Sequence, residues 1–217
     1  MLVRSDFSLT NDPIDFSKLN ALNFRQISKA ISFCENQKNR VKIQSLSEKV
    51  PVKKTIIIGI TGTGGAGKSS LTDELIRRLS GANSEIRIGV LCIDPSKKKT
   101  GGALLGDRIR MNSVYSEKIY LHSLATRGEK GGISEALPDT LEVLKKCGFD
   151  LILVETSGTG QSDSEIVALC NFTIYVMTSD YGAPTQLEKI EMLEHADMVV
   201  INKFDRKGAM DALREVR

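Results

Sequence analysis

A mostly parallel α/β sheet with helices on both faces is the fold class that this chain predicts, preceded by a helical N-terminal appendage. Two observations carry it. From residue 55 onward, apolar β-branched runs alternate with segments whose apolar residues recur at helical spacing. Such alternation belongs to parallel sheets covered on both sides. Several of the apolar runs also end in an acid or run into glycines, as expected where ligands gather at the carboxyl ends of strands.

The elements follow in order. Residues 1 to about 13 read as an extended lead-in ending in Asn11-Asp12-Pro13. Residues 14 to about 50 read as helical, with a loose stripe of Leu19, Leu22, Ile27, Ala30, Ile31 and Phe33. Pro51 and Lys53-Lys54 mark a join, giving an appendage over 1–53 and a main domain over 54–217. Strands are expected at Thr55–Thr61, Ile86–Ile93, Ile119–Ser123, Leu151–Thr156, Phe172–Met177 and Met198–Asn202. Helices are expected at Lys68–Leu79 with a stop at Gly81, Asp107–Val114, Ile133–Cys147, near Asp163–Leu169, and Thr185–His195. The last residues, Ala209 to Arg217, read as a helix cut in its middle, so a fragment of a longer protein is expected.

Bulk composition excludes several classes. An apolar fraction of 41% and a charged fraction of 26% are ordinary for a globular chain. A net charge of +3 gives no strong steering toward nucleic acid. The sequence has no apolar run of membrane-spanning length and no signal-peptide core after Met1, so a cytoplasmic protein without membrane or nucleic-acid partners is expected. Cys34, Cys92, Cys147 and Cys170 are dispersed and lack histidines at ligand spacing, which fits buried thiols in a reducing compartment better than a zinc or nickel site. His122 and His195 are expected to be structural or surface residues.

The chemistry begins at Gly62-Thr63-Gly64-Gly65-Ala66-Gly67-Lys68-Ser69, which fits G-x-x-x-x-G-K-[ST]. It lies between an expected strand and an expected helix, the context of a P-loop NTPase. Backbone N–H groups of Gly62, Gly64, Gly65, Ala66, Gly67, Lys68, Ser69 and Ser70 would cradle phosphates, aided by the helix N-terminus. Lys68 would reach the β- and γ-phosphates, and the Ser69 hydroxyl would ligate Mg²⁺.

Three further strand ends complete the set. Leu151-Ile152-Leu153-Val154-Glu155 delivers a carboxylate for the metal, with Gly158 placed to meet the γ-phosphate and Thr159-Gly160-Gln161 as a movable switch. Val90-Leu91-Cys92-Ile93-Asp94 delivers a second acid, followed by a glycine-containing loop in which Asp107 would close on the metal. Lys97-Lys98-Lys99 within that loop reads more simply as a solvated face. Asn202-Lys203-Phe204-Asp205 is an N-K-x-D pattern: a carboxylate at Asp205 accepts two hydrogen bonds from guanine and rejects adenine, which lacks that donor pair. For the group that orients the attacking water, Gln161, Asp94 and Arg127 remain alternatives. An unrelated P-loop ATPase or kinase is the competing reading, and Asp205 argues against it.

Together these motifs resemble the metallochaperone-type P-loop GTPases, in which a strand-end glutamate in E-x-x-G replaces the commoner aspartate. The cysteine and histidine motifs of the nickel-handling members are not found in this sequence. The chain is more similar to the GTPase chaperones of adenosylcobalamin-dependent acyl-CoA mutases, over roughly residues 55–217. Ile109-Arg110-Met111-Asn112, Ser123-Leu124-Ala125-Thr126-Arg127, Gln186-Leu187-Glu188-Lys189-Ile190 and Asn202 to Ala209 look most like the version fused inside an isobutyryl-CoA mutase. The resemblance implies GTP or GDP and Mg²⁺ as ligands, with Asp94, Asp107 and Glu155 serving the metal, and Asn202, Lys203 and Asp205 reading guanine. It implies a G-protein chaperone that gates cofactor loading of a methylmalonyl-CoA mutase-like partner, separate or fused, or else a piece of that isomerase itself. A homodimer is left open. Asp180 to Gln186 would be a third switch reporting nucleotide state. Two departures stand out: the chain ends before the expected guanine-side loop, which predicts weaker nucleotide affinity, and no D-x-H-x-x-G stretch is present, so adenosylcobalamin contacts would come from a partner or further domains.

Overall fold

The structure is a computed structural model that describes residues 19–35, 54–94, 111–114, 116–125, 134–158, 164–181 and 192–216. Its elements are α1 (Phe24–Cys34), β1 (Ile56–Gly62), α2 (Lys68–Ala82), β2 (Ile88–Asp94), β3 (Ile119–Ala125), α3 (Leu137–Cys147), β4 (Leu151–Glu155), α4 (Ser164–Val167), β5 (Phe172–Thr178), a 3-10 turn (Ser179–Tyr181), α5 (Met192–His195), β6 (Met198–Asn202) and α6 (Ala209–Val216).

The six strands form one sheet in the order β3-β2-β4-β1-β5-β6. Each neighbouring pair is parallel. A strand buried on both faces must be apolar at every position rather than at alternate ones, and the central strands obey this. Ile57 of β1, Leu91 and Ile93 of β2, and Ile152 and Val154 of β4 face a cluster that contains α1 and α3. Their neighbours Ile60, Val90, Cys92 and Leu153 face the opposite side. There α2 supplies Ile76 to one cluster and Leu71 and Leu75 to the next. On the far side of the sheet, Tyr175 and Met177 of β5 pack with Met192 of α5 and Val167 of α4.

The helices carry their own local signals. The Asn23 side chain caps α1 by accepting from the Gln26 N–H at 3.2 Å. Helix α3 has a proline in its first turn with Asp139, and Lys145 and Lys146 in its last, an arrangement that complements the helix dipole. Helix α1 is not a detached arm. Ile27, Ala30, Ile31 and Cys34 are buried in the same cluster as Leu137, Leu141 and Phe149. The Ser28 hydroxyl lies 3.0 Å from the Tyr120 hydroxyl, which lies 3.2 Å from His122 Nδ1. His122 therefore has a structural setting at the edge strand.

The strand expectations agree with the structure to within two residues at each end. Three helix expectations do not, the first being that of Ile133–Cys147: α3 begins only at Leu137, after a turn at Glu135 and Ala136. Helix α2 passes through Gly81 to Ala82, because the chain leaves through an extended Asn83 whose N–H bonds Leu79 O, and no left-handed glycine turn is needed. Residues 111–114 are a bend and a turn rather than a helix end. There the Ser113 N–H donates to Asp73 Oδ1 at 2.7 Å, and Met111 is fully buried against the Ile76 cluster. The remainder of that expected helix, most of 14–50 and residues 185–191 lie outside the described residues. Among the described residues no helix is long and apolar enough to cross a membrane.

All four cysteines are free thiols. Burial pushes the thiols of Cys34 and Cys147 up to about 12, because a thiolate cannot be solvated there. In an unfolded chain the same groups ionise near about pH 8.5. Their neutral burial therefore favours the folded state fully below that pH, and the contribution is lost as pH climbs toward about 12. At pH 8, iodoacetamide is expected to modify Cys34 and Cys147 far more slowly in the native chain than in urea. Peptide mass spectrometry of timed samples reads this directly, and equal rates in the two conditions would contradict the buried placement.

Candidate functional site

Because every strand pair is parallel, the carboxyl ends of β1, β2, β4, β5 and β6 lie along one edge of the sheet. Strand β1 sits between β4 and β5, and its chain leaves toward β2 while that of β4 leaves toward β5. Crossovers in opposite senses open a crevice between the two strand ends. The glycine loop and Glu155 meet in that crevice.

The loop turns back on itself through Thr63 N–H to Val176 O at 3.2 Å and Ala66 N–H to Thr63 O at 3.2 Å. Ala66 is fully buried under β1 and β5, whereas Gly64 and Gly65 face solvent. Gly67 caps α2 at φ 91°, in the left-handed region, and a Cβ there would stand 2.5 Å from the Asn202 amide nitrogen. The first turn of α2 holds no acidic residue of its own, and the N-terminus of a helix carries partial positive charge. Ser70 is exposed on that turn.

Lys68 is 6% exposed. Its Nζ donates to Gly62 O and Thr63 O, each at 3.0 Å. The ammonium thus folds back onto the loop and is held by backbone carbonyls. Gly158, at φ 76°, lies over it: a Cβ at Gly158 would collide with Lys68 Nζ and approach Gly62 O to 2.8 Å. Only glycine can bring its backbone so close to the lysine in that conformation.

Glu155 is the last residue of β4, in register with Ile60 of β1 and Cys92 of β2. It is 3% exposed. Its Oε1 accepts from Ser69 Oγ at 2.6 Å and its Oε2 from Thr72 Oγ1 at 2.8 Å. Just beyond, the buried hydroxyls of Thr156 and Thr61 lie 3.0 Å apart and tie the ends of β4 and β1 together. An oxygen-only donor set of one hydroxyl and one carboxylate suits Mg²⁺, which usually takes its remaining ligands from phosphates and water. Among the described residues no group of three or more His, Cys, Asp or Glu side chains could hold a metal alone. The Ser69–Glu155 pair therefore fits a metal that arrives with a phosphate, and not a self-sufficient protein cage.

The third part comes from β6. Asn202 lies opposite Thr178 of β5, and its Nδ2 donates to Ala66 O at 2.8 Å. Lys203, at φ 54°, donates from Nζ to Gly65 O at 2.8 Å. Asp205 stands in the exposed turn that follows. Arg206 closes the turn through its N–H to Lys203 O at 3.0 Å, and its guanidinium pairs with Asp180 Oδ2 at 2.9 Å.

The structure thus brings together Gly62, Gly64, Gly65, Ala66, Gly67, Lys68, Ser69, Glu155, Gly158, Asn202 and Lys203 from the sequence reading. Asp94 ends β2 on the same edge of the sheet. Asp107, Arg127 and Gln161, and residues 182–186 of the expected third switch, lie outside the described residues. The sequence reading missed Thr72, the Thr61–Thr156 pair and the Asp180–Arg206 pair. Thr72 had a legible signal: it lies four residues after Lys68 and three after Ser69, hence on their face of the helix. The other two join residues distant in sequence and had none.

The model of the family described as Methylmalonyl Co-A mutase-associated GTPase MeaB matches residues 27–217. The chain is 48% identical over 226 residues to a fused isobutyryl-CoA mutase of Geobacillus kaustophilus, covering 100% of this chain and 21% of that protein. It is 49% identical over 219 residues to a fused isobutyryl-CoA mutase of Cupriavidus metallidurans, covering 100% of this chain and 20% of that protein. The chain therefore spans about a fifth of the length of these relatives. Among solved structures, that of a LAO/AO transport system kinase superposes with a TM-score of 0.64 at 21% identity, over 92% of this chain and 59% of the other, a likeness of fold. With a family match that takes in most of α1, the glycine loop, Glu155 and the β6 corner alike, the chain belongs to the methylmalonyl-CoA mutase-associated GTPase family.

Proposed function

We propose that the chain binds and hydrolyses GTP with Mg²⁺, and works as a G-protein chaperone that gates cofactor loading and protection of a cobalamin-dependent acyl-CoA mutase. The observation that carries the nucleotide part is the convergence of Lys68, Ser69 and Glu155 in one crevice, with Asn202 and Lys203 bonded to the same loop. Phosphoryl transfer asks the protein mainly for positioning and charge neutralisation. Lys68 would exchange the carbonyls of Gly62 and Thr63 for phosphate oxygens, and the loop amides with the α2 N-terminus would bind the rest. Ser69 and Glu155 would hold the metal, with Asp94 and Asp107 as further oxygen donors. Mg²⁺, when bound, supplies positive charge to the phosphates. Gly158 would offer its N–H to the γ-phosphate. Asp205 would accept from guanine N1–H and N2–H₂, while Asn202 and Lys203 fix the corner that carries it. Gln161, Asp94 and Arg127 are the candidates for orienting the attacking water.

The mutase partnership rests on the relatives. Two fused isobutyryl-CoA mutases contain a stretch that matches this chain along its whole length. That observation also favours a second reading, in which the chain is the GTPase module of such a mutase. The intact mass of the native polypeptide separates the two: a mass near 23.8 kDa means a separate chaperone, and a several-fold larger one means a module.

Lys68→Ala is expected to abolish GTP hydrolysis, read as phosphate release under single-turnover conditions, and unchanged turnover would refute the phosphate-loop reading. Asp205→Asn is expected to lower GTP affinity by roughly 100-fold or more while leaving ATP binding unchanged, since a pocket built to pair with a donor set loses about that much when the pairing fails. Competition between labelled GDP and ATP measures this, and retained guanine selectivity would show that the base is read elsewhere. For the chaperone role, GTP-loaded and GDP-loaded chain should differ in how fast a cobalamin-dependent mutase takes up adenosylcobalamin. Identical uptake curves would remove that role and leave the GTPase standing.

A further inference from the structure

Glu155 cannot be a freely turning metal ligand. Its carboxylate is 3% exposed, and its two oxygens are held by hydroxyls from successive turns of one face of α2. Ser69, on the loop side, can donate its proton to Oε1 at 2.6 Å and still offer an oxygen lone pair to a cation. Thr72 has no such double role. It is fully buried, one turn further along the helix, and bonds Oε2 at 2.8 Å on the side away from the glycine loop. Its Oγ1 also lies 3.0 Å from Lys68 O, but a hydroxyl has one proton. The charged carboxylate is the stronger acceptor and takes it. A buried threonine is held to few rotamers by its branched Cβ, so the hydroxyl stays aimed.

We infer that Thr72 is the positioning residue of the metal site: its hydroxyl pins Glu155 Oε2 and so presents Oε1, beside Ser69, to a nucleotide-bound divalent cation. This inference rests on the Mg²⁺-dependent GTPase reading. Groups that orient a metal-binding side chain without touching the metal change metal affinity by about 10–100-fold when removed. Without Thr72 the carboxylate loses a donor that restrains its soft last torsion, at a place that water does not reach.

The test uses the full chain with GDP, and Mn²⁺ as a paramagnetic substitute for Mg²⁺. Electron paramagnetic resonance gives the Mn²⁺ affinity of the GDP complex, and fluorescence of a labelled GDP in EDTA gives nucleotide affinity without metal. Thr72→Val keeps the volume and removes the donor. It is expected to weaken Mn²⁺ by about 10–100-fold while metal-free GDP affinity stays within about threefold, and Thr72→Ser is expected to restore Mn²⁺ binding. A purely structural threonine would instead lower both affinities together, and neither would depend on the hydroxyl. Wild-type Mn²⁺ affinity in Thr72→Val, or equal losses in Thr72→Val and Thr72→Ser, overturns the inference. If Thr72→Val does not fold, Thr72→Cys keeps a similar volume with a weak donor and is read by the same pair of affinities. Failure of the wild-type chain to bind GDP at all would instead sink the GTPase reading, and this inference with it.

Discussion

Glu155 is a carboxylate buried at the end of a central strand, and a buried charge is tolerated only where its oxygens are satisfied. That requirement fixes much of the molecule. The donors come from Ser69 and Thr72, so the first turns of α2 must lie across the end of β4. With α2 so placed, the glycine loop has only a few residues in which to return from β1, and the left-handed turn at Gly67 is how it does so. The apolar packing of Ile76 against β2 and β4 then holds the helix at that angle. One polar cluster and one hydrophobic layer thus enforce the same geometry.

The glycine loop is also held from the other side of the sheet. Asn202 and Lys203 bond the carbonyls of Ala66 and Gly65. These bonds occupy carbonyl oxygens of the loop rather than its N–H groups, and N–H groups are what an anion needs. They also make the β6 corner and the phosphate loop one unit, so a shift in either is felt by the other. Beyond that corner, Arg206 pairs with Asp180 at the end of β5. That pair is solvent-exposed, and exposed ion pairs typically contribute about 0–1 kcal/mol. It marks adjacency more than it provides stability.

The Lys68 ammonium rests on two carbonyls of its own loop. Charged oxygens are stronger acceptors for an ammonium than neutral carbonyls are. The Gly158 backbone covers it at a distance that no side chain would allow. The loop, the lysine and the segment that follows Glu155 therefore share one small volume.

Much of this was legible in the residues. Strand runs with apolar character at every position could only be buried on both faces, and their alternation with helical periods dictated a parallel sheet. The phosphate loop, the Glu155 strand end and the N-K-x-D corner were each readable because they are local: a few consecutive residues at the end of a strand. What sequence spacing could not supply was register. The Thr61–Thr156 contact spans 95 positions, and the Asn202–Ala66 bond spans 136. Which strand lies beside β1 sets both contacts, and strand order is decided by how the helices pack on the two faces. The same holds for the edge placement of β3, the docking of α1 onto the main core, and the choice of Thr72 rather than Ser70 as the second donor to Glu155. Local sequence names the groups that do chemistry because their chemistry is intrinsic. Only the packed sheet decides which of them meet, because that depends on contacts between segments that carry no information about each other until they fold.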